Sequence, residues 1–465
     1  NNRVSFRGFK VNSDTASTVP YKAGVVAYNA NDVTLEHVIM DSISWAGVWA
    51  QDASRLRIAH CKFAGVLSLS IGNCGDIVAY RVLDSTIEDN DCNGGGWQGI
   101  LAQKPDALIE TGHSKNVRII NNRISNQSAY GICVYEFERG DCRHHIIGNK
   151  IHNIGGANPN GAGGNGITVV GSGGTLVAEN EIWDCCKTTT NSGTLVPAGI
   201  GVNLRPTDAD ELNRGVTVRN NIVYGMPQFD CIRASGSGSG HGLNIHDNIL
   251  HVDNTTGCGI KMLDCSGFSV HDNTIAVRSA TLNTSSGIAI DAVVNACVGG
   301  VFKGNTINGN SARGISLYSG GPSLEDIAVT SNAIRLTPVG AMGVFVQNSS
   351  GIPVTGNAIT AAIPLRYNNA TSSPATGNKL KSTGTQSVVI AGTCTGLYIG
   401  ADNTLQGDIA DTGTGASYPI TGSASWTPGD IAANTSVTTT MSVVNCGHGD
   451  ILQAGFSLDL QGCRI

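Results

Sequence analysis

No stretch of the chain keeps the 3.6-residue apolar period of an amphipathic helix, which excludes helix bundles and helical repeats. No apolar run approaches the roughly 20 residues of a membrane-spanning helix, so no membrane insertion is expected. Aromatic residues make up only 5% of the chain, too few for a broad core built around large rings. Charge is sparse as well, at 14%, with a net value of −6. A mildly acidic chain is a poor partner for nucleic acid. The 14 cysteines include no C-x-x-C pair. They read as free thiols filling small apolar positions in a protein folded in a reducing cytosol, not as a disulfide framework or a zinc site. No dense Asp repeat calls for calcium, and no metal or other cofactor is implied. The chain opens NNRVSF, without Met or a signal-like segment, and is expected to be a piece of a longer protein.

What the sequence has is glycine, 61 of 465 residues, and repetition. The stretch IIGNKIHNIGG, residues 146–156, contains a phrase, Asn-x-(Ile/Leu/Val), that returns at Asn122, Asn149, Asn180, Asn221, Asn248, Asn273, Asn305, Asn332, Asn357, Asn378 and Asn403. Upstream, His37, Cys61 and Ser85 are expected to fill the same slot. A second phrase, a Gly followed by alternating apolar residues, falls midway. It reads GILAQK from Gly99, GICVYE from Gly131, GITVVG from Gly166 and GIKMLD from Gly259. Alternation is the strand period, and short strands recurring every 20 to 30 residues define a solenoid. The expected fold is all-β: a single parallel β-helix of about fifteen coils over residues 1–410, with stacked Asn side chains passing amide hydrogen bonds along the rod. In the Gly phrase, positions +1 and +3 after the Gly point inward, and +2 and +4 point out.

The Asn register stops after Asn403. Residues 411–422, DTGTGASYPITG, have linker composition. Residues 423–465 read as a separate small β module that ends with an open strand edge. Its residues Trp426, Pro428, Val437 to Met441, Gly449-Asp450 and Phe456 to Gly462 resemble a module that follows the β-helix in bacteriophage tail fibres and tailspikes. In those relatives the module continues past the DLQG phrase, so here it looks truncated. The β-helix itself resembles the right-handed pectate-lyase-like family. The resemblance implies a right-handed coil and a homotrimer carried on the virion. It also implies attachment to other phage tail proteins through an N-terminal part, and binding and cleavage of a bacterial surface polysaccharide.

Irregular turns carry function on a solenoid. Three of the four longest intervals (85–122, 149–180, 180–221 and 273–305) lie between residues 85 and 221. A glycan cleft is therefore expected across residues 90–265. The outward +2 column places Arg233 beside Lys261, with Arg205 near. Stacked cations need an anion between them, supplied by Asp230, Asp264 or Glu211, or by an acidic sugar. Hydrolysis of a glycosidic bond needs two carboxyl groups. Glu136 and a member of the loop holding Asp208, Asp210 and Glu211 lie two coils apart and suit inversion, with Asp230 as an alternative. Glu138 lies beside Glu136 as a substrate contact. Trp97, Tyr135 and Phe229 are candidate platforms for sugar rings. Trp45 and Trp49 lie nearer the start and suit a subunit contact. A lyase would use Tyr135, Arg205, Arg233 and Lys261 instead, with His113, His144 and His145 as loop candidates. A non-catalytic receptor fibre remains a further alternative.

Overall fold

The computed structural model describes residues 3–12, 23–65, 74–94, 96–103, 114–155, 164–187, 197–204, 215–236, 242–279, 281 and 283–417. The side chains of 136–141, 283 and 414–417 lie outside that description, as does the C-terminal module expected over 423–465. Every regular element among the described residues is a β-strand. Each coil contributes three, as in Arg118–Ile120, Arg123–Ser125 and the strand opening at Tyr130. Each pairs in parallel with its equivalent in the next coil, here His145–Ile147, Lys150–His152 and Asn165–Gly173. The rod therefore has three faces, called first, second and third in that order. Pairing continues to Thr414–Ser417, which aligns with Thr393–Tyr398.

The corner between the first and second faces takes two residues. The leading one is left-handed: Asn121 has φ 56, Gly148 φ 68, Asn220 φ 54 and Asp247 φ 55. Gly, Asn and Asp tolerate that region best. The next residue is the buried Asn of the phrase. Its Nδ2 donates to the Oδ1 of the next Asn at 2.9 Å for Asn149 to Asn180, Asn180 to Asn221 and Asn221 to Asn248. The same Oδ1 accepts the backbone N–H of the preceding ladder residue, at 2.9 Å in Asn149 and 3.0 Å in Asn180. The other amide hydrogen reaches a core carbonyl one coil back, as in Asn221 to Val177 at 3.0 Å. Three orphan backbone or amide groups per corner are thus satisfied inside the rod.

The ladder begins earlier than expected. Asn90 donates to Asn122 at 2.9 Å and accepts the Cys61 N–H at 2.9 Å. The slot therefore runs Val38, Cys61, Asn90, Asn122. His37 is the left-handed residue before the slot, at φ 54. Ser85 belongs to another corner, where its Oγ accepts the Leu56 N–H at 2.9 Å. The 85–122 interval becomes the 32-residue step from Asn90.

The core is three columns of aliphatic residues, such as Ile119–Ile146–Val177, Ile124–Ile151–Ile182 and Ile132–Ile167–Ile200. The Gly of the second phrase faces this core. A Cβ on Gly131 would sit 2.5 Å from Ile151 Cγ2 and 2.6 Å from the Gly166 carbonyl, so a close backbone approach fixes the residue. Some coils depart from the rule, with Cys231 in the slot in one and Pro364 in another. In a third, Asp76 occupies the Gly slot, fully buried. The facing core residue there is the small Cys92 in place of Ile, and Gly94 leaves further space. Asp76 Oδ2 accepts from Gln127 Nε2 at 2.8 Å. Burial pushes its carboxyl well above the usual range, with Asp91 adding to the rise.

Asn221→Ala is expected to strand the Asn180 N–H and amide together and cost about 3 kcal/mol. A denaturant midpoint giving a loss under about 1 kcal/mol would refute the ladder's energetic role. Asp76 holds a proton in the folded chain over a pH range where the unfolded chain has lost it. Its contribution to stability therefore falls as pH rises from about 4, by about 1.4 kcal/mol per unit until the folded carboxyl ionises. Asp76→Asn removes that slope. The variant's melting temperature should gain on the parent's between pH 4.5 and 7, and a constant difference would contradict the assignment.

Candidate functional site

Sequence parity places Arg233 outward, and the structure adds a second outward group from the same strand. In Asp230–Ser235 both Cys231 and Ile232 belong to the core. Two consecutive inward residues leave Asp230 and Arg233 on the opposite side, where Arg233 Nη1 meets Asp230 Oδ2 at 3.1 Å. The other Asp230 oxygen accepts the Cys258 N–H at 2.7 Å. Asp230 is 6% exposed. Burial raises its carboxyl above the ordinary range, against the opposing pull of the Cys258 N–H, Arg233 and Lys261.

Lys261 is the in-register neighbour of Arg233, as the columns predict. Its Nζ pairs with Asp291, which stands in the +4 column one coil further on, beside Tyr318. Of the three carboxylates expected to relieve the stacked cations, Asp230 does so. Asp264 does not: its Oδ1 accepts the N–H groups of Val293, Val294 and Asn295 at 2.7, 3.0 and 3.1 Å and holds that turn. Glu211 lies outside the described residues. Asp291 was missed because the pairing is diagonal, from +2 of one coil to +4 of the next. The row Asp230, Arg233, Lys261, Asp291 is a preorganised set of donors and acceptors along the rod. Asp230 and Asp291 are separated by two coils and five strand positions, on the order of 19 Å between backbones. That exceeds glycosidase spacing, so the two do not form an acid–base couple.

The aromatic platforms are corrected. Trp97 is buried in a second apolar cluster with Val78, Leu101 and Tyr130, on the outer side of the third face. Tyr135 is half-buried and packs against the same cluster, and Phe229 packs against the main core. Trp45 and Trp49 stack on each other at 4.1 Å, and Trp49 meets Tyr80 edge-on at 4.4 Å. Strand parity gave the direction of these coils' outward side chains correctly. It could not give what covers them, and Leu101, at +2, is fully buried. His144 is buried too, with Nδ1 accepting the Val117 N–H at 3.2 Å.

Glu136 and Glu138 lie at a break in register. Tyr135 aligns with Val170, but Gly140 aligns with Ser172, so residues 136–139 stand opposite Gly171 alone. Such bulges re-aim side chains at sheet rims. The side chains of Glu136 and Glu138, and Arg205, Asp208, Asp210, Glu211 and His113 entirely, lie outside the described residues. The strand before the 205–214 segment ends at Asn203, which aligns with Val170. Tyr135 and Asn203 therefore share one edge of the third face, two coils apart.

Arg233→Met is expected to leave the Asp230 carboxyl buried with one partner fewer, costing about 3 kcal/mol of stability. Adding Asp230→Asn should recover most of that loss. Denaturation of the single and double variants checks the coupling, and simple additivity would count against the ion pair.

The profile described as "Right handed beta helix region" matches residues 1–182 and 106–275. No curated protein matches the chain in sequence. Among solved structures, the A-module of the Azotobacter vinelandii mannuronan C-5 epimerase AlgE6 is 14% identical with a TM-score of 0.38, over 83% of this chain and 89% of that one. The Yersinia enterocolitica family 28 exopolygalacturonase is 10% identical with a TM-score of 0.44, over 82% and 72%. The alginate lyase AlyF-OU02 is 11% identical with a TM-score of 0.36, over 90% and 88%. Similarity this low fixes neither substrate nor reaction. The profile spans more than half of the chain and agrees with the coil-by-coil pairing, and the chain belongs to the right-handed β-helix family.

Proposed function

We propose that the chain is a tailspike depolymerase, a homotrimer on a phage tail that cleaves an acidic bacterial surface polysaccharide by carboxylate-assisted hydrolysis. One observation carries the reading. The bulge at 136–139 and the strand end at Asn203 share an edge of the third face two coils apart, about 9.6 Å along the rod. Inverting glycosidases hold their carboxyl groups about 6.5–9.5 Å apart, leaving room for water. Glu136 follows the first position directly. Asp208, Asp210 and Glu211 follow the second after a short interval. A carboxyl of one group protonates the leaving oxygen as general acid, and a carboxyl of the other takes the proton of the attacking water as general base. Arg233 lies one coil beyond Asn203 and Lys261 two. These two cations, with Arg205 two residues after Asn203 in the sequence, hold the acidic groups of the sugar chain in this reading. Asp230 is a positioning residue that orients Arg233. Buried thiols such as Cys61, Cys231 and Cys258, which form no disulfide, support folding in a reducing host cytoplasm before action at the cell surface.

The in-register cations favour a second reading, β-elimination on a uronate. There Arg233 and Lys261 would neutralise the carboxylate and Tyr135 would take the proton. Capsular polysaccharide from a susceptible host, followed for reducing ends and for the ultraviolet absorbance of an unsaturated uronate together, separates the two. Reducing ends alone support hydrolysis, and Glu136→Gln should then lower kcat at least about 100-fold with KM little changed. Rising absorbance moves the chemistry to the cations. Binding without either signal leaves a receptor fibre and overturns the enzyme reading.

A further inference from the structure

The second face carries a concavity far from the row described above. Toward the C-terminal coils one of its columns runs Thr306, Ala333, Ala358, Lys379, Thr404. In earlier coils the same column holds Ile222 and Ile249. Replacing branched side chains by two alanines opens a groove of about 340 Å³, whose lining includes both. The adjacent column, Asn308, Arg335, Thr360, Lys381, Gln406, also lines it. Three cations, Arg335, Lys379 and Lys381, border the groove, and no carboxylate among the described residues lines it. None of the three is ion-paired with a carboxylate among the described residues. The surrounding stretch, residues 313–381, holds five Lys and Arg against two acids, in a chain of net charge −6.

We propose that this groove is a second, non-catalytic binding site for a carboxylate-bearing polysaccharide, lying along the rod axis across the strands. Arg335 and Lys381 flank Thr360 two coils apart, about 9.6 Å, so successive acidic groups of one extended chain can meet both. A guanidinium takes a carboxylate in bidentate fashion, and the lysines act as point charges. The remaining polar lining, Asn308, Thr360, Thr404 and Gln406, offers amides and hydroxyls suited to sugar hydroxyls. No aromatic residue among the described residues lines the groove, so these supply no stacking platform of the kind single-stranded nucleic acid uses. The inference rests on the reading of the chain as an acidic-glycan protein. It assigns the groove a separate task, holding the polymer while the third face acts.

Calorimetry on the full chain at low salt, with polygalacturonate and alginate as probes, tests it. The double variant Arg335→Ser/Lys381→Ser should weaken binding at least tenfold for one of the probes at an unchanged melting temperature. Ala358→Gln, which fills the groove without altering charge, should weaken it too, while Lys303→Gln, an exposed position on the first face, should leave binding unchanged. Loss with Lys261→Gln alone would overturn the groove and leave the acidic-glycan reading intact. Failure of both probes to bind the parent chain would overturn the two together. A change of oligomer size in the groove variants, with affinity unchanged, would mark the face as a contact between copies and also overturn the proposal.

Discussion

A two-residue corner inside a packed rod creates a hydrogen-bonding problem that the rest of this structure depends on solving. At each turn from the first face to the second, the chain passes through a left-handed residue such as Asn121 and then points a backbone N–H and nearby carbonyls inward, away from water. An Asn at the second position answers all of them at once. Its oxygen takes two hydrogens from the coil before, and its amide reaches both the next Asn and a core carbonyl. A shorter polar side chain could not span the coil spacing, and an apolar one would leave the groups unpaired. The ladder also fixes register. Once one corner is locked to the next, every residue in a coil has a defined neighbour above and below.

Fixed register turns the outer surface into columns, and columns make charge a collective matter. Arg233 above Lys261 is unfavourable as a pair. The fold tolerates it because each cation finds its own carboxylate, one from three residues earlier in its strand and one from the following coil. The cost of burying Asp230 is offset by a backbone N–H and a guanidinium, which is why the carboxyl is raised but still paired. The same face is closed toward the N-terminus, where Trp97, Leu101 and Tyr130 form an apolar cluster. Under the proposed function, the third face therefore leaves the edge that follows Tyr135 and the coils beyond for the reaction.

Periodicity made most of the fold legible. The Asn phrase from Asn122 onward and the alternation after each Gly gave the repeating coil and the inward and outward columns directly, whereas the three strands of each coil emerge only from the pairing. The misses have physical causes. Asn90 escaped because the residue two positions on is Cys92, which is small to make room for Asp76, and Asp76 in turn hides the Gly phrase of its own coil. These are one compensated substitution seen at two places. Asp230 was named as a partner for Arg233, but its outward direction follows from two consecutive inward residues, Cys231 and Ile232, which break simple parity. Trp97 was misread because composition marks an aromatic as a sugar platform only when nothing lies over it. The side chains of Glu136 and of the Asp208–Glu211 loop fall where neither repeat reaches.

The two cationic sets differ in a way that bears on what each can do. Arg233 and Lys261 are partly buried, in register on strands about 4.8 Å apart at the backbone, and neutralised by Asp230 and Asp291, so together they project little net field. Such a row orients a ligand already in place, since its donors are fixed before anything binds. Arg335, Lys379 and Lys381 are exposed and lack carboxylate partners among the described residues, and Thr360 keeps Arg335 from stacking directly on Lys381. Uncompensated charge at an open groove attracts a polyanion over roughly a Debye length but holds no single geometry. Attraction without precision suits capture of a long flexible polymer, whereas precision without net charge suits the place where a bond is broken. A rigid rod can carry both because the ladder holds the faces in one frame along its length.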